Sequence, residues 1–254
     1  DVSAIAQSHF TTTGAAISIG EQPIIGMLDP AAMARMTAGE TLTNLVWAGI
    51  SKLEDVRCSG NWMWAAKLPG EGAAMWDAAV ALNEALIDLG IAIDGGKDSL
   101  SMAAVVPGSS EDEEETVKAP GALVLSAYAP CPDIRKIVTP DIKYPGGSEI
   151  IFVDLGGGRR RMGASSLCHV YGQLGMTPPD LDDPALLKRA FHAVQGLIDR
   201  GLISAGHDRS DGGLITTLLE MAFAGNCGLE INIVCLTPAP ETPEIEVLFS
   251  EELG

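Results

Sequence analysis

Gly206-His207-Asp208-Arg209-Ser210-Asp211-Gly212-Gly213-Leu214 forms a dense polar turn between an extended step at Ile203 and a helix expected to begin near Gly213. Two aspartates, a serine and three glycines at a helix entry let carboxylates reach a cation while backbone N–H groups and the Ser210 hydroxyl approach a phosphate. The alternative assigns Ser210 or Asp211 to helix capping and the glycines to turn geometry. Capping leaves the other charged residues of the turn unexplained.

Outward from this turn, the chain reads as alternating strands and helices. Upstream, Leu186 to Arg200 is an amphipathic helix and Glu149 to Leu155 a strand, while Pro130, Pro132 and Pro140 punctuate a linker. A boundary near Ile134 to Gly147 divides the chain into parts 1–133 and 134–254. In the first part, Val2 to Ile19 suits one or two strands with a turn near Gly14, and Gly121 to Ala129 is an apolar strand. Pro30 opens a helix that runs to Ile50, and Trp76, Ala79, Val80, Asn83, Leu86 and Ile87 share a face of a second helix ended by Gly90. A loop is expected from Ser59 to Gly72, and the acidic block Glu111 to Glu115 reads as an exposed hairpin tip. The order of elements is that of an α+β or α/β protein.

Three further stretches carry chemistry. In Ala38-Gly39-Glu40-Thr41-Leu42-Thr43-Asn44, helical spacing sets the Glu40 carboxylate beside the Asn44 amide, two hard oxygen ligands of the kind magnesium takes together with phosphate and water. A solvated polar stripe is the other reading of that pair. Asp94-Gly95-Gly96-Lys97-Asp98-Ser99 resembles a phosphate-gripping turn without P-loop spacing, and a Gly-Gly hairpin turn fits it equally. Cys58 to Trp64 reads as a loop whose Trp62 and Trp64 pack one domain onto the other or cover a ligand.

Composition narrows the class. The 254 residues are 46% hydrophobic, enough for one large domain or two smaller ones, and no run approaches a membrane span. A formal net charge of -18 excludes a nucleic-acid surface, and Arg159 to Arg161 reads as a solvated loop. Cys58, Cys131, Cys168, Cys227 and Cys235 show no metal or disulfide spacing, so reduced thiols in a cytoplasmic protein are expected. The start at DVSAIAQ carries no targeting signal, and both ends read as cut from a longer protein.

Taken in order, GETLTNL, CSGNWMWAAKLPGEG, DGGKDSLSM, GHDRSDGGL and LLEMAFAGNCGL resemble the second synthetase repeat of the large, single-chain formylglycinamide ribonucleotide amidotransferase family, through nearly the whole chain. The resemblance implies an A domain that contributes strands to a shared barrel with flanking helices, followed by an α/β-layered B domain. It also implies an ATP-dependent ligase of purine synthesis: ATP activates the formamide oxygen of formylglycinamide ribonucleotide, and ammonia from glutamine displaces phosphate. The family holds an auxiliary ATP or ADP with Mg2+. The matching metal ligands are Asp1, Glu40, Asn44 and Asp208, with Ser210 on the nucleotide.

By the same resemblance, Gly96, Lys97 and Ser99 face the substrate. Lys97 stands where smaller relatives have a metal-binding Asn, which suits phosphate neutralisation instead. The glutaminase domain and the repeat with the main ATP site are not in this sequence, and His9, His169, His192 and His207 do not replace the latter's catalytic histidine. The partners implied are those missing parts, and an uncovered strand face could make the piece self-associate. Two alternatives stand beside this reading: a non-catalytic nucleotide-binding module, or another superfamily member such as aminoimidazole ribonucleotide synthetase, selenophosphate synthetase or thiamine monophosphate kinase.

Overall fold

The computed structural model describes residues 2–108, 114–237 and 242–254. In chain order the first part contains β1 (Val2–Ala6), β2 (Gly14–Glu21), α1 (Pro30–Leu45), β3 (Arg57–Met63), α2 (Glu71–Leu89), β4 (Ala92–Ser99), β5 (Ala103–Pro107), β6 (Glu114–Lys118) and β7 (Ala122–Cys131). Five strands make one sheet in the order β1-β2-β7-β3-β4, and β5 and β6 pair separately. Only β3 and β4 run parallel, because α2 carries the chain back between them. The second part holds α3 (Ser166–Val170), α4 (Pro184–Asp199), α5 (Gly213–Gly225) and α6 (Glu244–Phe249), joined by irregular segments. The fold is of the mixed α+β class.

Helix α1 starts where Asp29 accepts hydrogen bonds from the Ala31 and Ala32 N–H groups, both at 2.9 Å, with Pro30 in the first turn. It is buried almost all round, and small residues make this possible. Gly20 of β2 lies so close to Thr37 and Thr41 that a Cβ there would collide with the helix backbone. The Thr41 hydroxyl donates to the carbonyls of Thr37 at 2.7 Å and Leu125 at 3.2 Å, and Ser18 donates to the Thr41 carbonyl at 2.7 Å. The helix is thereby bonded to β2 and β7 as well as packed on them.

Several expectations are corrected. Cys58 to Met63 is not a loop but most of the strand β3, and only the residues after it are irregular. Trp64 is buried inside the first part, where its indole N–H donates to Glu71 at 2.9 Å, so it does not join two domains. Asp94 to Ser99 is no turn either, since it lies within β4, with a bulge that lets Asp94 stand out of register. Gly96 has φ of 147°, and a Cβ there would run into the Gly60 backbone of the neighbouring strand, so close strand approach explains its glycine. The buried face of α2 is Ala78, Ala81, Leu82, Ala85, Leu86 and Leu89, while Trp76 and Ile87 are exposed.

The N-terminal turn precedes Gly14, which is the first residue of β2. Glu149 to Leu155 forms no strand, having no ladder partner among the described residues. Arg160 and Arg161 are not solvated: they pair with Asp154 at 3.1 Å and with Glu252 and Asp182 at 2.7 Å each. Of the acidic block, Glu111 to Glu113 lie outside the described residues, and Glu114 and Glu115 are exposed on β6.

Helix α4 ties the two parts together. Its Leu187 and Phe191 join the core that contains Leu42 and Leu45 of α1. Gln195 donates to the carbonyls of Val46 at 2.7 Å and Ala48 at 2.8 Å and accepts from the Ile50 N–H at 3.1 Å, closing the backbone groups that the end of α1 leaves open. Replacing Gln195 with Ala strands three part-buried backbone groups and should lower the unfolding free energy by about 2–3 kcal/mol, read from the denaturant midpoint.

Candidate functional site

Where α1 meets the turn before α5, a cavity of about 310 Å³ is lined by Glu40, Asn44, Pro140, His207, Asp208, Ser210 and Glu220. Four residues expected as a site from two distant sequence stretches therefore share one space. Asp1, the remaining expected ligand, lies outside the described residues.

The two α1 side chains are held from behind. Glu40 accepts hydrogen bonds from the Glu21 N–H at 2.8 Å and the Gln22 amide at 3.1 Å. Asn44 donates to the Ile19 carbonyl at 3.0 Å, which orients its amide from the same strand, β2. Asp208 is 4% exposed, and the carbonyl of its peptide accepts from Thr217 at 3.1 Å. The turn that carries it is braced further by Glu251, whose carboxylate accepts from the Gly212 N–H at 2.6 Å and the Ser166 N–H at 2.8 Å. Arg209 points away from the cavity mouth into the interior, donating to the carbonyls of Glu252 at 2.5 Å and Leu253 at 2.9 Å, with its guanidinium 4.9 Å from the Phe152 ring centre.

The electrostatics are those of an excess of carboxylate. Burial pushes the Glu40 carboxyl up to about 7, against its two hydrogen bonds and with help from the charges of Asp211 and Asp208. Asp211 is raised as well, by burial and by Asp208. Burial also acts against the Asp208 carboxylate, but His207 beside it more than offsets this and holds it below the ordinary aspartate value. The hydrogen bond to Asp208 raises the His207 pKa, and burial opposes this. Its two ring nitrogens face the Asp208 carbonyl at 2.7 Å and the Glu220 carboxylate at 2.8 Å, an arrangement that the doubly protonated imidazole satisfies best.

The donor set suits magnesium. The expected metal ligands that line the cavity are hard oxygens, the carboxylates of Glu40 and Asp208 and the amide of Asn44, with the Ser210 hydroxyl beside them for the nucleotide and no thiolate in the cavity. Among the described residues no three His, Cys, Asp or Glu side chains are grouped to hold a metal alone. Magnesium, which keeps water and phosphate oxygens in its shell, is compatible with so few protein ligands, whereas a structural zinc site is not.

Gly96, Lys97 and Ser99 are not part of this cavity. They sit on β4, three strand spacings from β2, or about 14 Å across the sheet. Lys97 donates to the Ser99 hydroxyl at 2.9 Å, so those two side chains do meet. Sequence reasoning missed Glu220, although it stands in the quoted LLEMAFAGNCGL stretch, and Glu251, which lies in none of the quoted motifs. It left His207 as a support of the turn, and the contacts to Asp208 and Glu220 give it that place.

Against known proteins, the FGAR-AT PurM_N-like domain family matches residues 1–130, and the AIR synthase related protein, C-terminal domain family matches residues 147–254. The chain is 59% identical over 255 residues to a probable phosphoribosylformylglycinamidine synthase, chloroplastic/mitochondrial, of Arabidopsis thaliana, covering 100% of this chain and 17% of that protein. With the phosphoribosylformylglycinamidine synthase of Homo sapiens it shares 54% identity, covering 100% of this chain and 18% of the other. The chain thus spans less than a fifth of the length of these two relatives. Thermotoga maritima PurL, in structures complexed with FGAR and with AMPPCP, shares the fold with TM-scores of 0.65 and 0.67 at 14% identity, over 94% of this chain and 36% and 34% of that one.

A raised carboxyl pKa means that the folded state holds the Glu40 proton more tightly than the unfolded chain does, so stability falls as pH rises through the range from 4.5 to about 7. Glu40→Gln should therefore be more stable than the unsubstituted chain by about 2 kcal/mol near pH 8 in metal-free buffer, with the difference vanishing near pH 4. Equal stability of the two across that range would show that burial does not penalise this carboxylate.

Proposed function

The chain belongs to the FGAR-AT PurM_N-like domain family, and on that premise we propose that it is a nucleotide-holding portion of a phosphoribosylformylglycinamidine synthase. The parent would convert formylglycinamide ribonucleotide, glutamine and ATP to formylglycinamidine ribonucleotide, ADP, phosphate and glutamate. One observation carries the assignment of a site to this portion: Glu40 and Asn44 of α1 line the same cavity as Asp208 and Ser210, which lie more than 160 residues further along the chain.

In this reading Glu40, Asn44 and Asp208 hold magnesium, joined by Asp1, and the Ser210 hydroxyl hydrogen-bonds the nucleotide. Bound magnesium would neutralise phosphate charge and the mutual repulsion of the carboxylates. His207 keeps Asp208 ionised, and Glu251 keeps Gly212 and its neighbours seated so that Ser210 faces the cavity. Lys97 and Ser99 contact the substrate phosphate, whereas Gly96 serves strand packing. A division into parts 1–133 and 134–254 is supported by family matches that end at 130 and resume at 147.

The sheet face opposite α1 exposes Ile5, Ile19 and Tyr128, which is consistent with barrel closure by the parent's other synthetase repeat, or self-association when that is absent. The glutaminase domain completes the set of partners in the parent. Among the described residues no helix is long and apolar enough to cross a membrane, and the setting we propose is the cytoplasm. Other members of the superfamily are disfavoured by identities of 59% and 54% across the whole chain to synthases of this one reaction. A purely structural role for the nucleotide is favoured by one feature, the sheet's width between the cavity and Lys97.

Two experiments test these assignments. ADP with magnesium should raise the melting temperature of the chain, corresponding to about 2.7 kcal/mol at a hundredfold excess over the dissociation constant. The rise should need both components and vanish in Glu40→Ala, Asp208→Ala; a rise that persists in the double variant would place the nucleotide elsewhere. In the full-length enzyme, Lys97→Ala should raise KM for formylglycinamide ribonucleotide by about tenfold or more, the loss expected for a charge-assisted hydrogen bond. An unchanged KM removes Lys97 from the substrate site.

A further inference from the structure

A third carboxylate at the wall of the small cavity, Glu220, belongs neither to the metal ligands nor to the nucleotide contact. It stands on α5 one turn beyond Thr217, so the two side chains share the helix face toward the turn at 206–214. Both reach that turn. The Thr217 hydroxyl donates to the Asp208 carbonyl at 3.1 Å, and the Glu220 carboxylate meets His207 Nε2 at 2.8 Å. A carboxylate left open at the mouth of a phosphate-holding cavity would repel its ligand. The fold instead turns this half-exposed side chain onto a histidine whose own side chain is 12% exposed.

His207 passes the contact on. Its Nδ1 donates to the Asp208 carbonyl at 2.7 Å and stands 3.4 Å from Asp208 Oδ1. Together with Thr217 this puts two donors on one carbonyl, which engages both of its lone pairs and fixes the peptide plane. The fixed plane, with the imidazole beside Oδ1, sets the direction in which the Asp208 carboxylate leaves the turn. The Nδ1 contacts are to the adjacent residue and would turn with it, whereas the Nε2 contact ties the ring to a separate element, α5.

We propose that Glu220 is a positioning residue of this site, clamping the His207 ring so that the ring holds Asp208 at the angle a divalent cation requires. The inference rests on the reading of Asp208 as a magnesium ligand and adds the device that aims it. Two other roles for Glu220 make different demands. A plain tie between helix and turn would leave cation affinity untouched when it is cut. Direct contact with the cation or the nucleotide would not depend on His207.

Binding of Mn2+ in the presence of ADP to the full-length protein, read from the electron paramagnetic resonance signal of the free ion, tests this. The share of this site is the binding that is lost in Glu40→Ala, Asp208→Ala. Glu220→Ala is expected to raise the Mn2+ dissociation constant of that share by about tenfold or more, as loss of a partner behind a ligand does. Glu220→Gln, whose amide can pair with Nε2 as acceptor or donor, should stay within about threefold. In a His207→Ala background, Glu220→Ala should add less than about twofold. Unchanged affinity in Glu220→Ala overturns the proposal and leaves Glu220 a tie between helix and turn. An undiminished loss in the His207→Ala background, or a Glu220→Gln loss as large as that of Glu220→Ala, overturns it as well. Equal binding by the unsubstituted protein and Glu40→Ala, Asp208→Ala would remove the metal assignment itself, and this inference with it.

Discussion

Helix α1 can approach β2 and β7 closely because Gly20 offers no side chain and Thr37, Thr41 and Ser18 bond across the gap. That contact aims one half of the cavity. It brings Glu40 within 2.8 Å of the Glu21 N–H and Asn44 within 3.0 Å of the Ile19 carbonyl, so the two polar side chains are directed by the edge of β2 and not left to solvent. A bulkier residue at Gly20 would push the helix off the sheet and move both ligands together. The cost of placing a carboxylate there is visible in Glu40, whose burial makes it the group that most resists ionisation in the cavity.

The other half of the site is built with buried charge. Arg161 and Glu252 pair twice at 2.7 Å, Arg209 spans the carbonyls of Glu252 and Leu253, and Glu251 gathers the backbone N–H groups of Gly212 and Ser166. Paired in this way the charges hold the turn at 206–214 in one position, since any displacement leaves an ion unpaired in a medium of low dielectric. Burial lowers the Arg209 pKa to about 10, and the guanidinium remains charged at neutral pH. The ring of Phe152 beneath it and Asp154 at 3.4 Å share its charge. The loop at Asp154 is tied into the same network, its carboxylate accepting from the Gly156 and Gly158 N–H groups at 3.0 Å.

Much of this was legible in the linear order of residues. The α1 start at Pro30 and the stop of α2 at Gly90 follow from local chemistry that acts within a few residues, whereas α5 enters at Gly213 behind Gly212 with no side-chain cap from Ser210 or Asp211. The pairing of Glu40 with Asn44 follows from helical geometry. Strand β3 was hidden because Ser59-Gly60-Asn61 has the composition of a turn, and its state is decided by pairing with β7 and β4 on either side. Helix α2 misled in another way: Trp76 and Ile87 are large and hydrophobic yet exposed, while the buried face alternates Ala78, Ala81 and Ala85 with Leu82, Leu86 and Leu89, because helices packed closely need small residues beside the large ones.

The sequence by itself determined the local elements, the family and the residue types that could meet a metal and a phosphate, because capping, periodicity and motif spacing depend on neighbours within a turn or two. Only the tertiary structure decided which of those residues share a space. It joined Glu40 and Asn44 to Asp208 and Ser210, placed Lys97 and Ser99 across the sheet from them, and turned Arg160, Arg161 and Arg209 inward to internal partners. Such placements depend on contacts between residues far apart in the chain, and burial, which sets the Glu40 pKa and directs the arginines, exists only once those contacts are made.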